Sequence, residues 1–311
     1  MNYIYVDKIR NFVGLNTEEI LNHFKNIFEK NYGENIDVKQ QNAWKSSIDY
    51  LKDALKDNSI SEFTIAFEYK LPFSNERIDL LIFGKDEIGK PTTLIFELKG
   101  WNFAEKTKSQ FIVKSDIGDT IHPEYQVENY VGKIKFSHSA ADNFNLIPAI
   151  LMYNASSDKI NIEFERVKCF YKNDVKEIRK FITSHLKSPL EEKIIHSFLK
   201  GEYKQSKKLF DAIKNHFDEI KNQSYLALAR NGWGLSEEQL KLIEEIINDL
   251  KSGQDNIVYL IQGNPGSGKT LVAIHLLLSA LSKNYQTILA YRNNRLINSI
   301  RDIFDSIKRG V

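Results

Sequence analysis

A single cysteine, Cys169, is all the thiol chemistry available to these 311 residues. It excludes an intramolecular disulfide and leaves no Cys cluster for a structural zinc, so any metal must sit on oxygen ligands or scattered histidines. Nothing approaches the roughly 20 apolar residues of a bilayer span. The longest apolar run, Leu271 to Leu281, is interrupted by His275, and no membrane segment is expected. The opening MNYIYVDKIRNFVG has neither the apolar core nor the small-residue cleavage site of a secretory signal, so a cytoplasmic location is expected. An excess of one charge is missing too, with 43 basic residues against 41 acidic ones. A nucleic-acid site would therefore be a local patch and not a property of the whole surface.

What is present suffices for a substantial core, since 42% of the residues are hydrophobic and 12% aromatic; the length suggests two domains. Apolar positions recur at helical spacing over Thr17 to Asn31 and Ala43 to Leu55. Strand-like runs follow at Phe63 to Tyr69, Ile78 to Phe83 and Thr93 to Leu98, separated by turn signals. His122 to Phe136 reads as a helix, Leu146 to Tyr153 as a buried strand and Val167 to Phe170 as a short one. Residues 1–175 are thus expected to form a mixed α/β domain. The Lys-rich stretch 176–234 reads as a helical linker, and 235–311 as a second domain.

The octet Gly263, Asn264, Pro265, Gly266, Ser267, Gly268, Lys269, Thr270 fits G-x-x-x-x-G-K-[ST]. The apolar run Ile257 to Ile261 before it reads as a buried strand and Leu271 to Leu281 after it as a helix, the context a phosphate-binding loop requires. Glycines let successive N–H groups and the helix N-terminus turn toward phosphates. Lys269 would reach the β- and γ-phosphates of ATP or another NTP, and the Thr270 hydroxyl would complete a Mg²⁺ shell. Upstream, Ser236 and Gln239 satisfy a capping box. Gln239 is also similar to the adenine-reading glutamine that precedes the P-loop in superfamily 1 helicases; both readings stay open. Thr287 to Tyr291 reads as a second strand. The segment Arg292 to Leu296 after it resembles the helicase motif that touches the nucleic-acid backbone, or is an ordinary charged helix start. No acidic strand end or arginine finger follows before Val311. The expectation is an incomplete motor that binds nucleotide and turns it over poorly, either a truncated form or one whose remainder a separate chain supplies.

The first domain places Asp79 in one apolar strand and Glu97-Leu98-Lys99 at the end of the next. An acid two residues before a lysine recurs by chance in so charged a chain, but charges embedded at apolar strand ends are costly without a purpose. Glu97 and Lys99 share a strand face, and pairing of the strands would bring Asp79 to them. Two carboxylates and the Leu98 carbonyl offer hard oxygen ligands to Mg²⁺ or Mn²⁺, and Lys99 would orient a nucleophile and offset developing negative charge. These residues resemble the signature of the PD-(D/E)xK nuclease superfamily. Glu68 stands where some members carry a further acid, or is a solvated strand residue. Gln126 and Tyr130, at i and i+4 on one helix face, look like the Gln-x-x-x-Tyr helix of RecB-like nucleases. His122 reads more readily as a helix-start residue than as a catalytic group.

An N-terminal nuclease-like domain before a superfamily 1 P-loop resembles a group of bacterial schlafen-like DNA/RNA helicases. The resemblance implies a restriction-endonuclease-like mixed-sheet α/β domain, a helical linker and a partial RecA-like P-loop NTPase domain with parallel strands. It further implies a metal-dependent nuclease with DNA in preference to RNA as substrate, in repair or defence against foreign DNA. The alternative is a non-catalytic nucleic-acid-binding or regulatory module that senses nucleotide and acts with a partner chain.

Overall fold

A computed structural model of the chain describes residues 2–33, 36–72, 74, 76–204, 228–253, 256–290, 292 and 298. The chain divides into two units, one of Met1–Val127 with His138–Lys204 and the other of Glu128–Ser137 with Gln205–Val311.

Four apolar runs make the centre of the first unit: β2 (Thr64–Lys70), β3 (Arg77–Lys85), β4 (Pro91–Lys99) and β8 (Asn145–Met152). Their side chains are apolar on both faces because both faces of the sheet are covered. With β1 (Tyr5–Lys8) and β10 (Lys168–Tyr171) at the edges, the order is β1-β2-β3-β4-β8-β10. The first four strands pair antiparallel, whereas β8 lies parallel to both β4 and β10. The β3–β4 turn is built by Asp86, whose carboxylate accepts from the Ile88 and Lys90 N–H groups, and by Gly89 at φ 81°. A parallel neighbour requires a crossover, and α4 (Pro123–Ser137) supplies it between β4 and β8.

One face of the sheet is covered by α1 (Ile9–Gly14), α2 (Thr17–Tyr32), α3 (Val38–Ala54) and α5 (Val175–His185). Phe12, Phe24, Trp44 and Ile182 from these helices join Phe67, Leu80, Phe96 and Leu151 in a single core. The opposite face carries α6 (Glu192–Leu199), whose Phe198 is fully buried and stacks against Tyr69, Phe83 and Phe144 at ring distances of 5.8, 5.4 and 4.8 Å. The Lys-rich stretch after residue 175 was expected to connect domains; instead, as far as residue 204, its helices are packed elements of the first unit. Lysine content reports only a helix's wet face, and an amphipathic helix must bury the other one. Between β4 and α4 the chain also makes β5 (Ala104–Lys106), β6 (Ile112–Ser115) and β7 (Gly118–Ile121). With β9 (Ile160–Asn161) these form a small sheet ordered β7-β6-β5-β9, for which the sequence offered no clear periodic signal.

In the second unit the described residues are helical or irregular. A π-turn spans Ala229–Trp233, α7 spans Glu237–Ser252 and α8 spans Lys269–Ser282. The capping box of α7 is formed, with Ser236 accepting from the Gln239 N–H and Gln239 accepting from the Ser236 N–H. The strands expected at 257–261 and 287–291 are not found among the described residues. Residues 257–261 and 287–290 carry no strand, and Val258, Leu260 and Ile288 are 91, 83 and 95% exposed. An apolar run becomes a buried strand only where a ladder partner and a covering layer exist, and neither is found among the described residues. Tyr291 and Asn293 to Leu296 of the anticipated nucleic-acid motif lie outside the described residues. No described helix is long and apolar enough to cross a membrane.

The packing of α6 makes a stability prediction. Phe198→Ala is expected to cost about 3–5 kcal/mol in urea unfolding, whereas a residue of a loose connector would cost well under 1 kcal/mol.

Candidate functional site

Strand register brings three carboxylates into one row. Phe67 pairs with Leu80 and Tyr69 with Ile78, which sets Glu68 opposite Asp79. Leu80 pairs with Phe96, which sets Glu97 opposite Asp79 on the other side. The β3–β4 ladder ends at this point, while β4 continues alongside β8 as far as Lys99↔Met152. Where β3 lets go, the Asp79 side chain takes over as acceptor: the Leu98 N–H donates to its Oδ2 at 2.7 Å.

Glu97 is 1% exposed, and Lys99 Nζ stands 2.7 Å from its Oε1. The same ammonium donates to Gln126 Oε1 at 2.9 Å and sits 5.2 Å from the centre of the Trp101 ring. Sheet and crossover helix are thus joined through Lys99. Gly100, next in sequence, leaves room for the Tyr153 ring, whose hydroxyl a Cβ there would meet. Asp79, Leu98, Lys99 and Gln126 are partly exposed around the buried Glu97, so solvent reaches the group from one side.

Of the two readings of Glu68, burial excludes one. Glu68 is 7% exposed and not a solvated strand residue. Its φ of 52° puts it in the left-handed region, uncommon for a residue with a side chain. Trp44 Nε1 donates to its Oε1 at 2.8 Å, and Arg77 Nε lies 3.3 Å from its Oε2. The Arg77 guanidinium in turn rests 4.8 Å over the Phe28 ring.

Charge is crowded here. Burial, and then the neighbouring Asp79 charge, push the Glu97 carboxyl up to about 8, with Lys99 opposing. Burial and Asp79 likewise push Glu68 up to about 7, against the Trp44 bond and Arg77. Asp79 is raised by burial and held back by Lys99 and by the Leu98 N–H. Glu97 Oε2 is buried without a hydrogen-bond partner. A buried, unbonded carboxylate oxygen beside a second carboxylate fits a hard divalent cation, which would relieve both the desolvation and the repulsion. Asp79, Glu97 and the Leu98 carbonyl would hold it. Among the described residues no three His, Cys, Asp or Glu side chains converge to hold a metal ion.

Tyr130 follows one turn after Gln126 on α4 and is buried, but it groups with the second unit. His122 caps the start of α4: its Nδ1 accepts from the Glu124 N–H at 3.2 Å, and burial lowers its pKa. Trp44, Arg77, Trp101 and Tyr153 complete the surroundings and were not singled out from sequence. Only the position of Arg77, two residues before Asp79, carried any signal.

In the second unit the octet Gly263 to Thr270 closes on itself. Gly266 and Gly268 both have φ of 81°, a conformation that favours glycine. Lys269 Nζ donates to the carbonyl oxygens of Gly263 and Asn264 at 2.6 and 2.9 Å, and Thr270 lies in the first turn of α8. Gln239 Nε2 donates to Ser267 O at 3.0 Å while its Oε1 serves the capping box. Its amide therefore ties α7 to the loop and fulfils the cap together.

Glu97 sets a pH dependence for the metal-free protein. Its folded pKa lies above the ordinary 4.5. Stability is therefore full below about pH 4.5 and is lost as pH rises through about 8, since the unfolded chain releases this proton first. Urea unfolding in chelator at pH 5 and pH 8 should show the wild type losing at least about 1.4 kcal/mol more than Glu97→Gln over that window. Equal losses in the two proteins would contradict it.

Residues 256–308 match the family model described as Schlafen group 3, DNA/RNA helicase domain. Neither the curated proteins nor the solved structures contain a match to the chain. The matched segment begins just before the octet 263–270 and includes α8, so this part of the chain is helicase-like and the carboxylate row lies outside the match.

Proposed function

We propose that the chain is a divalent-metal-dependent nuclease that hydrolyses phosphodiester bonds in DNA, joined to a nucleotide-binding, helicase-like segment. The observation that carries this reading is the row of Glu68, Asp79 and Glu97 across β2, β3 and β4, with Lys99 closing on Glu97. A mixed sheet with antiparallel β2–β4, a helical crossover and parallel β8 supports a restriction-endonuclease-like fold for this unit. The helicase-domain match supports association with nucleic acid. The loop 263–270 supports binding of ATP or another NTP, in a RecA-like unit.

Asp79, Glu97 and the Leu98 carbonyl would hold Mg²⁺ or Mn²⁺. When bound, the ion supplies Lewis-acid polarisation of the scissile phosphate and acidifies a water. Lys99 does the rest of the electrostatic work. Its ammonium is fixed by Glu97 and Gln126, which keeps its donors in a set direction at partial exposure. From there it orients the attacking water and balances the charge that grows on the phosphate oxygens as the water oxygen bonds to phosphorus and the bond to the leaving sugar oxygen breaks. Arg77 and Trp44 hold the Glu68 carboxylate, whose charge adds to the field at Asp79 and Glu97.

Cleavage of linear and circular DNA and of RNA, with Mg²⁺, with Mn²⁺ and with chelator, tests the reading. Wild type is expected to cut DNA only with the metal. Asp79→Ala and Glu97→Ala should abolish cutting, and Lys99→Ala should lower it about 10²–10³-fold, as for loss of one charge-stabilising donor. If wild type binds DNA but never cuts nucleic acid, the chain is the non-catalytic binding module instead.

A further inference from the structure

Helix α4 is counted in both units. Pro123–Val127 belongs to the first, where Gln126 holds Lys99, and Glu128–Ser137 belongs to the second. Only Val127 separates Gln126 from Glu128 in this continuous helix, so a displacement of the later turns is carried to Gln126 by the helical backbone itself.

Those later turns are tightly held within the second unit. Arg230 Nε donates to Glu128 Oε2, with the two side chains 17 and 10% exposed. Asn129, 2% exposed, donates from Nδ2 to Leu235 O at 3.3 Å. A Cβ on Gly132 would overlap the Ala229 carbonyl, and one on Gly234 would overlap Asn129 Oδ1. Contacts that leave no room for a methyl group transmit displacement and do not absorb it. Leu235 adjoins Ser236, the cap of α7, and Gln239 of that cap donates to Ser267 O in the phosphate loop. A second route runs from Trp233 O to His275 Nε2, at 2.8 Å, in the helix that the loop opens.

The loop must change when phosphates arrive. Lys269 now bonds its own loop's carbonyls at Gly263 and Asn264, and it must leave them to reach a phosphate. Ser267 O, which takes the Gln239 amide, lies in the same loop.

We propose that Glu128, Asn129 and Arg230 are positioning residues for the Lys99 centre. They make α4 a coupling element through which a nucleoside triphosphate at 263–270 resets Gln126 and Lys99. The idea rests on the proposed nuclease and nucleotide sites, and its consequence is reciprocal. Whatever factor nucleotide applies to metal-dependent DNA binding, DNA with metal applies to nucleotide binding. Couplings of this kind span about 5- to 150-fold.

Hydrogen exchange on the full chain, with and without a non-hydrolysable ATP analogue, reads the coupling without requiring any DNA cleavage. The analogue is expected to change exchange at least fivefold in two stretches far from the loop in sequence, 97–101 and 124–130. Asn129→Ala should bind the analogue within about twofold of wild type and lose that distant change; Glu128→Gln, which keeps the side-chain size, should weaken it. Lys269→Ala should remove the response altogether. A change confined to residues 236–282, or a distant change that survives in Asn129→Ala, overturns the proposal, as does a chain that binds no nucleotide. Cleavage assayed in parallel keeps the two readings apart. DNA cutting that ignores nucleotide sinks the coupling and leaves the nuclease standing, whereas a distant exchange response in a chain that never cuts does the reverse.

Discussion

The cost of holding carboxylates of like charge side by side and out of water is the constraint on which the first unit depends. Glu68, Asp79 and Glu97 stand in register across three neighbouring strands, where apolar residues would pack with no penalty. Each is given a different answer. Glu68 is turned through a left-handed backbone to Trp44 and Arg77. Asp79 substitutes for a main-chain acceptor at Leu98. Glu97 has Lys99 on one oxygen and nothing on the other. The residual imbalance shows as carboxyl groups shifted upward, and groups shifted by burial and by specific charge partners cluster at functional sites.

The architecture around the row serves to open it on one side. Because β3 stops pairing with β4 just where β4 still follows β8, the ends of the strands separate at Asp79 and Glu97. The crossover helix that parallel pairing demands then passes beside the gap and presents Gln126 to Lys99. A purely antiparallel meander would need no such helix, and Lys99 would lack its second anchor.

Much of this was legible in the residues. Strand-like apolar runs and turn residues placed β2, β3, β4 and β8 within one or two residues of their observed bounds, and the embedded charges at Asp79, Glu97 and Lys99 singled out the candidate site because they break an apolar pattern. Trp44 and Tyr153 were not legible, since an aromatic residue at helical or strand spacing looks the same whether it fills a core or bonds a carboxylate. Glu68 was read as a solvated residue or a further acid; its inward turn depends on a backbone reversal at one residue that no periodicity records. The helices α5 and α6 were taken for connectors because they open a long Lys-rich stretch, although Ile178, Ile182 and Phe198 are what determine their packing. The opposite error occurred at 257–261, where an apolar run was read as buried although a strand is defined by its partners and none is found among the described residues.

In the proposed nuclease, the Asp79 and Glu97 carboxylates hold a hard cation. Anomalous diffraction from crystals of the protein grown with Mn²⁺ addresses it directly. A single strong peak is expected about 2.0–2.6 Å from an oxygen of each carboxylate and from the Leu98 carbonyl, with Lys99 nearby but not bound to it. Crystals that hold Mn²⁺ elsewhere, with Glu97 still paired only to Lys99, would contradict it.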